Sequence, residues 1–118
     1  HKLIKFSDIL SINIPLNQSN KGFIDKKKIN FFKNGTIIVN TSRGDVFDER
    51  ILFNKIMNNN VFYATDVLGN FFLKKLKNKK IKNKLIYTNH IAGLTNESVK
   101  KTDNFVLKKF LKDININK

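Results

Sequence analysis

Arg43 and His90 are the two side chains whose types and surroundings could do chemistry on a small acid. A guanidinium grips a carboxylate with two parallel hydrogen bonds, which a lysine ammonium cannot do. The choice of arginine at position 43 carries information, because the 23 basic residues comprise only Arg43, Arg50 and 21 lysines. His90 carries an imidazole whose ordinary pKa of about 6.5 lets it give and take a proton near neutrality. Asp66, at the end of a predicted strand, is a third polar group placed more for a ligand than for a core. A Ser-His-Asp hydrolase built from Ser42, His90 and Asp66 would use the same letters, but no G-x-S-x-G elbow is present to expose the serine.

These residues must be held by strands. Thr36 to Val39 is an unbroken β-branched and aliphatic run, the pattern of a parallel strand buried within an α/β domain. The polar turn Asn40-Thr41-Ser42-Arg43-Gly44 follows, and Asp45 or Asp48 with Glu49 then supplies a helix start. Arg43 thus falls just past the carboxyl end of a strand, the edge at which open α/β sheets bind ligands. Three further strands are predicted: Ile9 to Ile14, stopped by Pro15; Val61 to Thr65, which puts Asp66 level with Arg43; and Leu85 to Thr88, followed by His90. Helices are predicted over Ile24 to Phe32, ended by Asn34-Gly35, and from Asp45 or Asp48 to Asn58. A final helix runs from Thr95 to about Lys112 with the apolar face Val99, Phe105, Val106 and Phe110. His1 to Phe6 shows no period. Lysines 74, 75, 77, 79, 80, 82 and 84 make the stretch Leu68 to Lys84 read as a solvated loop or exposed helix. Strands alternating with crossovers of this length give an α/β fold with a parallel sheet in a three-layer arrangement.

The segment NTSRG followed by DVFDE resembles the N-T-x-R-G, then V-D-E, stretch of the D-isomer-specific 2-hydroxyacid dehydrogenases. Ser7 to Gly22, Ala64 to Leu68 (ATDVL) and Thr88 to Thr95 (TNHIAGLT) agree with that family in order and spacing. The resemblance implies hydride transfer between NAD and a 2-hydroxy or 2-keto acid, with phosphoglycerate dehydrogenases among the enzymes of this kind. Arg43 would bind the substrate and His90 would act as acid and base. Cofactor contacts would come from Pro15 and its neighbours beside the nicotinamide ribose, from Thr41, Ser42 and Arg43, from Asp66 on the carboxamide, and from His90 and Gly93. No metal is implied. The family's usual glutamate, five residues after the aspartate, is replaced here by Phe71; Asn70 could offer His90 a hydrogen bond but no charge. No G-x-G-x-x-G is present to meet a pyrophosphate. Residues 1–92 therefore look like the second half of an NAD-binding domain, a partial Rossmann-like unit, and 93–118 like a helix returning to a substrate domain. A homodimer is implied for the full-length protein.

The 118 residues suit one domain at most. Beginning at His1 rather than Met, the chain reads as a fragment or processed product, and His1 itself as a bystander. Cysteine is absent, and no apolar run reaches the roughly 20 residues that span a bilayer. A cytoplasmic setting is the default expectation. The net charge of +14, with 11 phenylalanines as possible stacking platforms, raises a nucleic-acid-binding alternative. Against it, the lysines are spread along the whole chain, and arginine, the better fork for phosphates and guanine edges, is scarce.

Overall fold

A computed structural model describes residues 2–116, and side chains through residue 112. The elements in chain order are α1 (Lys2–Phe6), β1 (Ile9–Ile12), α2 (Lys26–Asn30), β2 (Ile37–Asn40), α3 (Glu49–Asn58), β3 (Phe62–Thr65), α4 (Asn70–Lys75), β4 (Leu85–Tyr87) and α5 (Asn96–Ile116). Short 3-10 turns at Gly44–Val46 and Lys79–Ile81 join them. The strands form one parallel sheet in the order β1-β2-β3-β4. The strand register aligns Leu10, Ile38, Tyr63 and Leu85 in one row and Ile12, Asn40, Thr65 and Tyr87 in the next, at the carboxyl rim.

A parallel sheet that always steps the same way, with right-handed crossovers, must place every crossover helix on one face. Accordingly α2 packs on α3 and α3 on α4. Ile29, Leu52, Ile56 and Phe72 from these helices are fully buried, together with Ile38 and Tyr63 of the sheet. The opposite face is open among the described residues: Ile9 is 64% exposed and Ile86 74%. This chain therefore supplies the sheet and one helical layer of the predicted three. The apolar run of β2 is buried on the helix side at Ile38, while Ile37 on the bare side is 39% exposed.

Local sequence explains the helix bounds. Asp48, not Asp45, caps α3, its side chain accepting from Ile51 N at 3.1 Å, and Leu52 and Ile56 carry the buried stripe. At the other end Lys84 Nζ donates to the Ile56 and Asn59 carbonyls at 3.0 and 2.8 Å, a cation satisfying a helix C-terminus. The helix predicted over 24–32 is shorter. Asp25 caps it by accepting from Lys28 N at 2.9 Å, and Ile24 instead bridges in parallel to Phe47. Gly35 lies beyond the helix, at φ 85° in the turn into β2, where its N–H donates to Asn60 O. The lysine-rich stretch 68–84 is not wholly solvated as predicted. Phe72 and Ile81 are buried and Leu76 is half-buried, while the lysines between them, apart from half-buried Lys84, stay exposed. The aperiodic start holds α1, anchored by buried Ile4, and His1 lies outside the described residues. In α5, Thr95 Oγ1 accepts from Ser98 N at 3.1 Å, and the predicted face is uncovered, with Phe105 68% exposed.

Candidate functional site

Each strand ends in a loop, and the four loops meet along the carboxyl rim of the sheet. Three adjoining cavities lie there. The first, of about 370 Å³, is lined by Arg43, Asp66 and His90, with Gly44, Gly69 and Asn70 on its walls. A second, of about 650 Å³, adds Thr41, Ala92 and Gly93 around Asp66 and His90, and a third, of about 340 Å³, runs from Pro15 past Thr41 and Ser42 to Arg43. All seven residues singled out in the sequence therefore share one rim, and Arg43 and His90 share one cavity.

The Arg43 loop is built on Asn40, the last residue of β2 and fully buried. Asn40 Oδ1 accepts from Ser42 N at 3.0 Å, while its Nδ2 donates to Arg43 O at 3.1 Å and to the Tyr63 hydroxyl at 3.0 Å. Burial raises the Tyr63 pKa above its ordinary value, so the hydroxyl remains a neutral partner. Ser42 Oγ donates to Ile14 O and Thr41 Oγ1 to Asn13 Oδ1, which ties this loop to the Pro15 turn. Pro15 O in turn accepts from Asn20 Nδ2. The Arg43 side chain is exposed to the cavity, and its Nη1 donates only to the carbonyl of Ser42, at 2.7 Å. Most of the guanidinium fork is left for a ligand.

Asp66 is buried and organises the histidine loop. Its Oδ1 accepts from the Thr88 hydroxyl and from Ile91 N at 2.9 Å; Oδ2 accepts from Ala92 N at 2.8 Å; and its carbonyl accepts from His90 N at 2.9 Å. The Thr88 hydroxyl, helped by the Ala92 and Ile91 amides and the charge of His90, pulls its pKa below the usual carboxylate value, against the opposing effect of burial. A carboxylate has about four acceptor positions. Three are taken, so Asp66 keeps one for a ligand and spends the rest on its own chain. Wrapped around it, His90 is the only described non-glycine residue at positive φ (59°), a strained conformation of the kind that persists where a side chain must be aimed. Its imidazole is exposed at the cavity.

Phe71, at the position where a glutamate was expected, turns away from this cavity. Its ring packs edge-on against Phe53 at 5.7 Å, beneath Arg50 and Lys75. Asn70 does reach the wall that His90 shares. Sequence reasoning missed Asn40, Tyr63 and Thr88 as supports. The signal for Asn40 was its place at a strand end, where an Asn side chain folds back on the next two residues; nothing local marked the other two.

A one-sided parallel sheet with a cation, an imidazole and a tethered carboxylate at its carboxyl rim has the architecture of half of an open α/β domain, with its cavity at the ligand-binding edge of such sheets. The family model for the D-isomer specific 2-hydroxyacid dehydrogenase NAD binding domain matches residues 1–92. The chain belongs to that family. It is 31% identical over 121 residues to a hydroxypyruvate reductase of Thermotoga maritima, covering 97% of this chain and 38% of that protein. The crystal structure of D-lactate dehydrogenase from Aquifex aeolicus, complexed with NAD and lactic acid, superposes with a TM-score of 0.71 at 28% identity, covering 95% of this chain and 39% of that one. D-2-hydroxyisocaproate dehydrogenase, at 20% identity and a TM-score of 0.79, shares the fold. The chain thus spans well under half the length of these relatives. Among the described residues no three His, Asp or Glu side chains gather as a metal site, and no helix is long and apolar enough to cross a membrane.

Proposed function

We propose that the full-length protein is an NAD-dependent oxidoreductase of 2-hydroxy and 2-keto acids, and that this chain forms the nicotinamide side of its active site. The observation that carries the reading is the convergence of Arg43 and His90 on one cavity at the carboxyl rim. The rim fits one end of a dinucleotide: the spare acceptor on Asp66 suits a carboxamide, and the Pro15 turn, Thr41, Ser42 and Gly93 line the adjoining space. When bound, the reduced cofactor NADH would supply the hydride from its nicotinamide ring, and NAD would accept it in the reverse direction. Arg43 holds the substrate carboxylate bidentately and polarises the neighbouring carbonyl. His90 delivers the proton that the reduced oxygen takes up, and removes it in the reverse direction. Asp66 fixes the His90 loop through its bonds to Thr88, Ile91 and Ala92. The bare sheet face and the exposed face of α5 leave room for the rest of the nucleotide-binding domain and for the substrate domain. A homodimer is proposed on the family resemblance.

One observation favours a second reading. With Phe71 facing the aromatic cluster, no carboxylate among the described residues hydrogen-bonds the His90 imidazole, and loss of an orienting acid costs about 10⁴-fold in turnover in the serine-protease counterpart. A dinucleotide-binding homologue with weak or no turnover is therefore the alternative. Replacing His90 with Ala in the full-length protein separates the two. The dehydrogenase reading expects NADH oxidation by 2-keto acids to vanish while NADH binding stays nearly intact; turnover equal to wild type refutes the role given to His90.

A further inference from the structure

Glu49 is absorbed by none of the roles above, yet it lies where the two halves of the active-site rim touch. Its Oε2 accepts from Phe71 N at 3.1 Å, at the start of α4. Its Oε1 is buried with no hydrogen-bond partner. No cation pairs with it among the described residues. Burial therefore pushes its pKa up, against the pull of the Phe71 and Gly69 amides, and the Asp45 charge adds to the rise. A surface glutamate with free rotamers would turn this oxygen to water; this one is confined.

The two flanking glycines explain the confinement. A Cβ on Gly69 would stand 2.2 Å from Glu49 Oε1 and 2.3 Å from its carboxyl carbon. A Cβ on Gly44 would stand 2.7 Å from Gly69 N and 3.1 Å from Glu49 Oε1. Neither glycine has positive φ, so close approach rather than backbone freedom demands them. Gly44 directly follows Arg43, and Gly69 lies between Asp66 and Asn70; both line the cavity of Arg43 and His90.

We infer that Glu49 is a positioning residue that clips the Arg43 loop to the Asp66–Asn70 loop and so sets the distance between the carboxylate-binding cation and the histidine loop. The inference deepens the proposed oxidoreductase reading and rests on it. The carboxylate does not reach the cavity itself; it acts through the Phe71 amide and through the backbone contact of Gly44 with Gly69.

The test uses the full-length protein with three variants. Glu49→Ala should lower kcat by about tenfold or more with NADH affinity nearly unchanged, and Glu49→Gln, which keeps the shape and one acceptor, should return to within about threefold of wild type. Gly69→Ala should resemble Glu49→Ala, and adding it to Glu49→Ala should cost nothing further, because the colliding carboxylate is already gone. A merely structural role would show as lost stability with kcat per folded molecule unchanged, or as additive losses in the double variant; either overturns the inference. Amide hydrogen exchange gives a readout that needs no turnover. In Glu49→Ala, exchange should quicken at Gly44 and Gly69 together while β2 and β3 stay protected, and quickening confined to Phe71 would overturn the clip. A wild type that exchanges as expected but turns over no 2-keto acid would instead count against the oxidoreductase reading alone.

Discussion

Replacing Asn40 with Ala should loosen the Arg43 loop by an amount that its hydrogen bonds allow to be worked out. Three bonds disappear together: from Ser42 N, to Arg43 O and to the Tyr63 hydroxyl. Ser42 is buried, so its orphaned amide costs about 1–3 kcal/mol, whereas Arg43 is exposed and its carbonyl can turn to water at little cost. The Tyr63 hydroxyl, inside the core, adds about 1 kcal/mol. The sum is about 2–4 kcal/mol, and Tyr63→Phe alone should cost only the last part. Denaturant midpoints of the full-length protein measure the first quantity. The KM for a 2-keto acid measures the second effect, since a loosened Arg43 loop must be re-ordered by the substrate. The expected result is a raised KM in Asn40→Ala, with NADH affinity changed far less, and a much smaller change in Tyr63→Phe. A stability loss below about 1 kcal/mol with KM unchanged would show that Asn40 does not hold the loop, and the argument from unsatisfied buried amides would fail.

Other consequences follow from the same contacts. The Asp66 pKa is depressed in the folded state, so its contribution to the 88–92 loop is present above the ordinary carboxylate value and is lost as pH falls through the lower folded one. The Ile91 and Ala92 amide resonances should shift together with a midpoint below 3.8, and a midpoint at or above that value would contradict the contact. Thr88→Val, which removes the strongest of those influences, should move that midpoint upward. Glu49 has the opposite sign: its raised pKa means that its charge destabilises the fold at neutral pH and that the penalty is relieved as pH falls through the folded pKa. Glu49→Gln should therefore melt higher than wild type at pH 7, and the advantage should disappear below the ordinary value of 4.5. Relief of the positive φ at His90 should make His90→Gly more stable than His90→Ala by about 1 kcal/mol, as denaturant midpoints would show.

The sheet and the rim that gathers Arg43, Asp66 and His90 were legible because they obey short-range rules. The runs closing at Asn40, Asp66 and Thr88 mark strand ends to within a residue, while β1 stops at Ile12, two residues short of the Ile14 end predicted from Pro15, and in a parallel sheet every strand end lies on the same rim. Residues just past those ends must then meet, however far apart they are in sequence. Asp48 was readable as a cap for the same local reason, although the alternative Asp45 had to be eliminated by the structure, whereas Asp25, the cap of α2, was passed over inside the helix predicted over 24–32. What stayed hidden depends on partners distant in the chain. The burial of Phe72 and Ile81 is decided by α3 and the sheet, and the surrounding lysines mask it. The Asn40–Tyr63 and Asp66–Thr88 bonds cross between strands, and the positive φ at His90 falls in a loop that Asp66 holds from both sides. Glu49 read as an ordinary first-turn acid until Gly44 and Gly69 were seen to close around it.

The shared pocket is tested most directly by what it demands of its substrate. In the full-length protein, single-turnover NADH oxidation should be compared for a 2-keto acid and its matched 2-keto amide, in wild type and in Arg43→Ala. If Arg43 receives the carboxylate beside His90, wild type should prefer the acid strongly and Arg43→Ala should lose most of that preference. An equal preference for the acid in both proteins would place the carboxylate elsewhere and contradict the account.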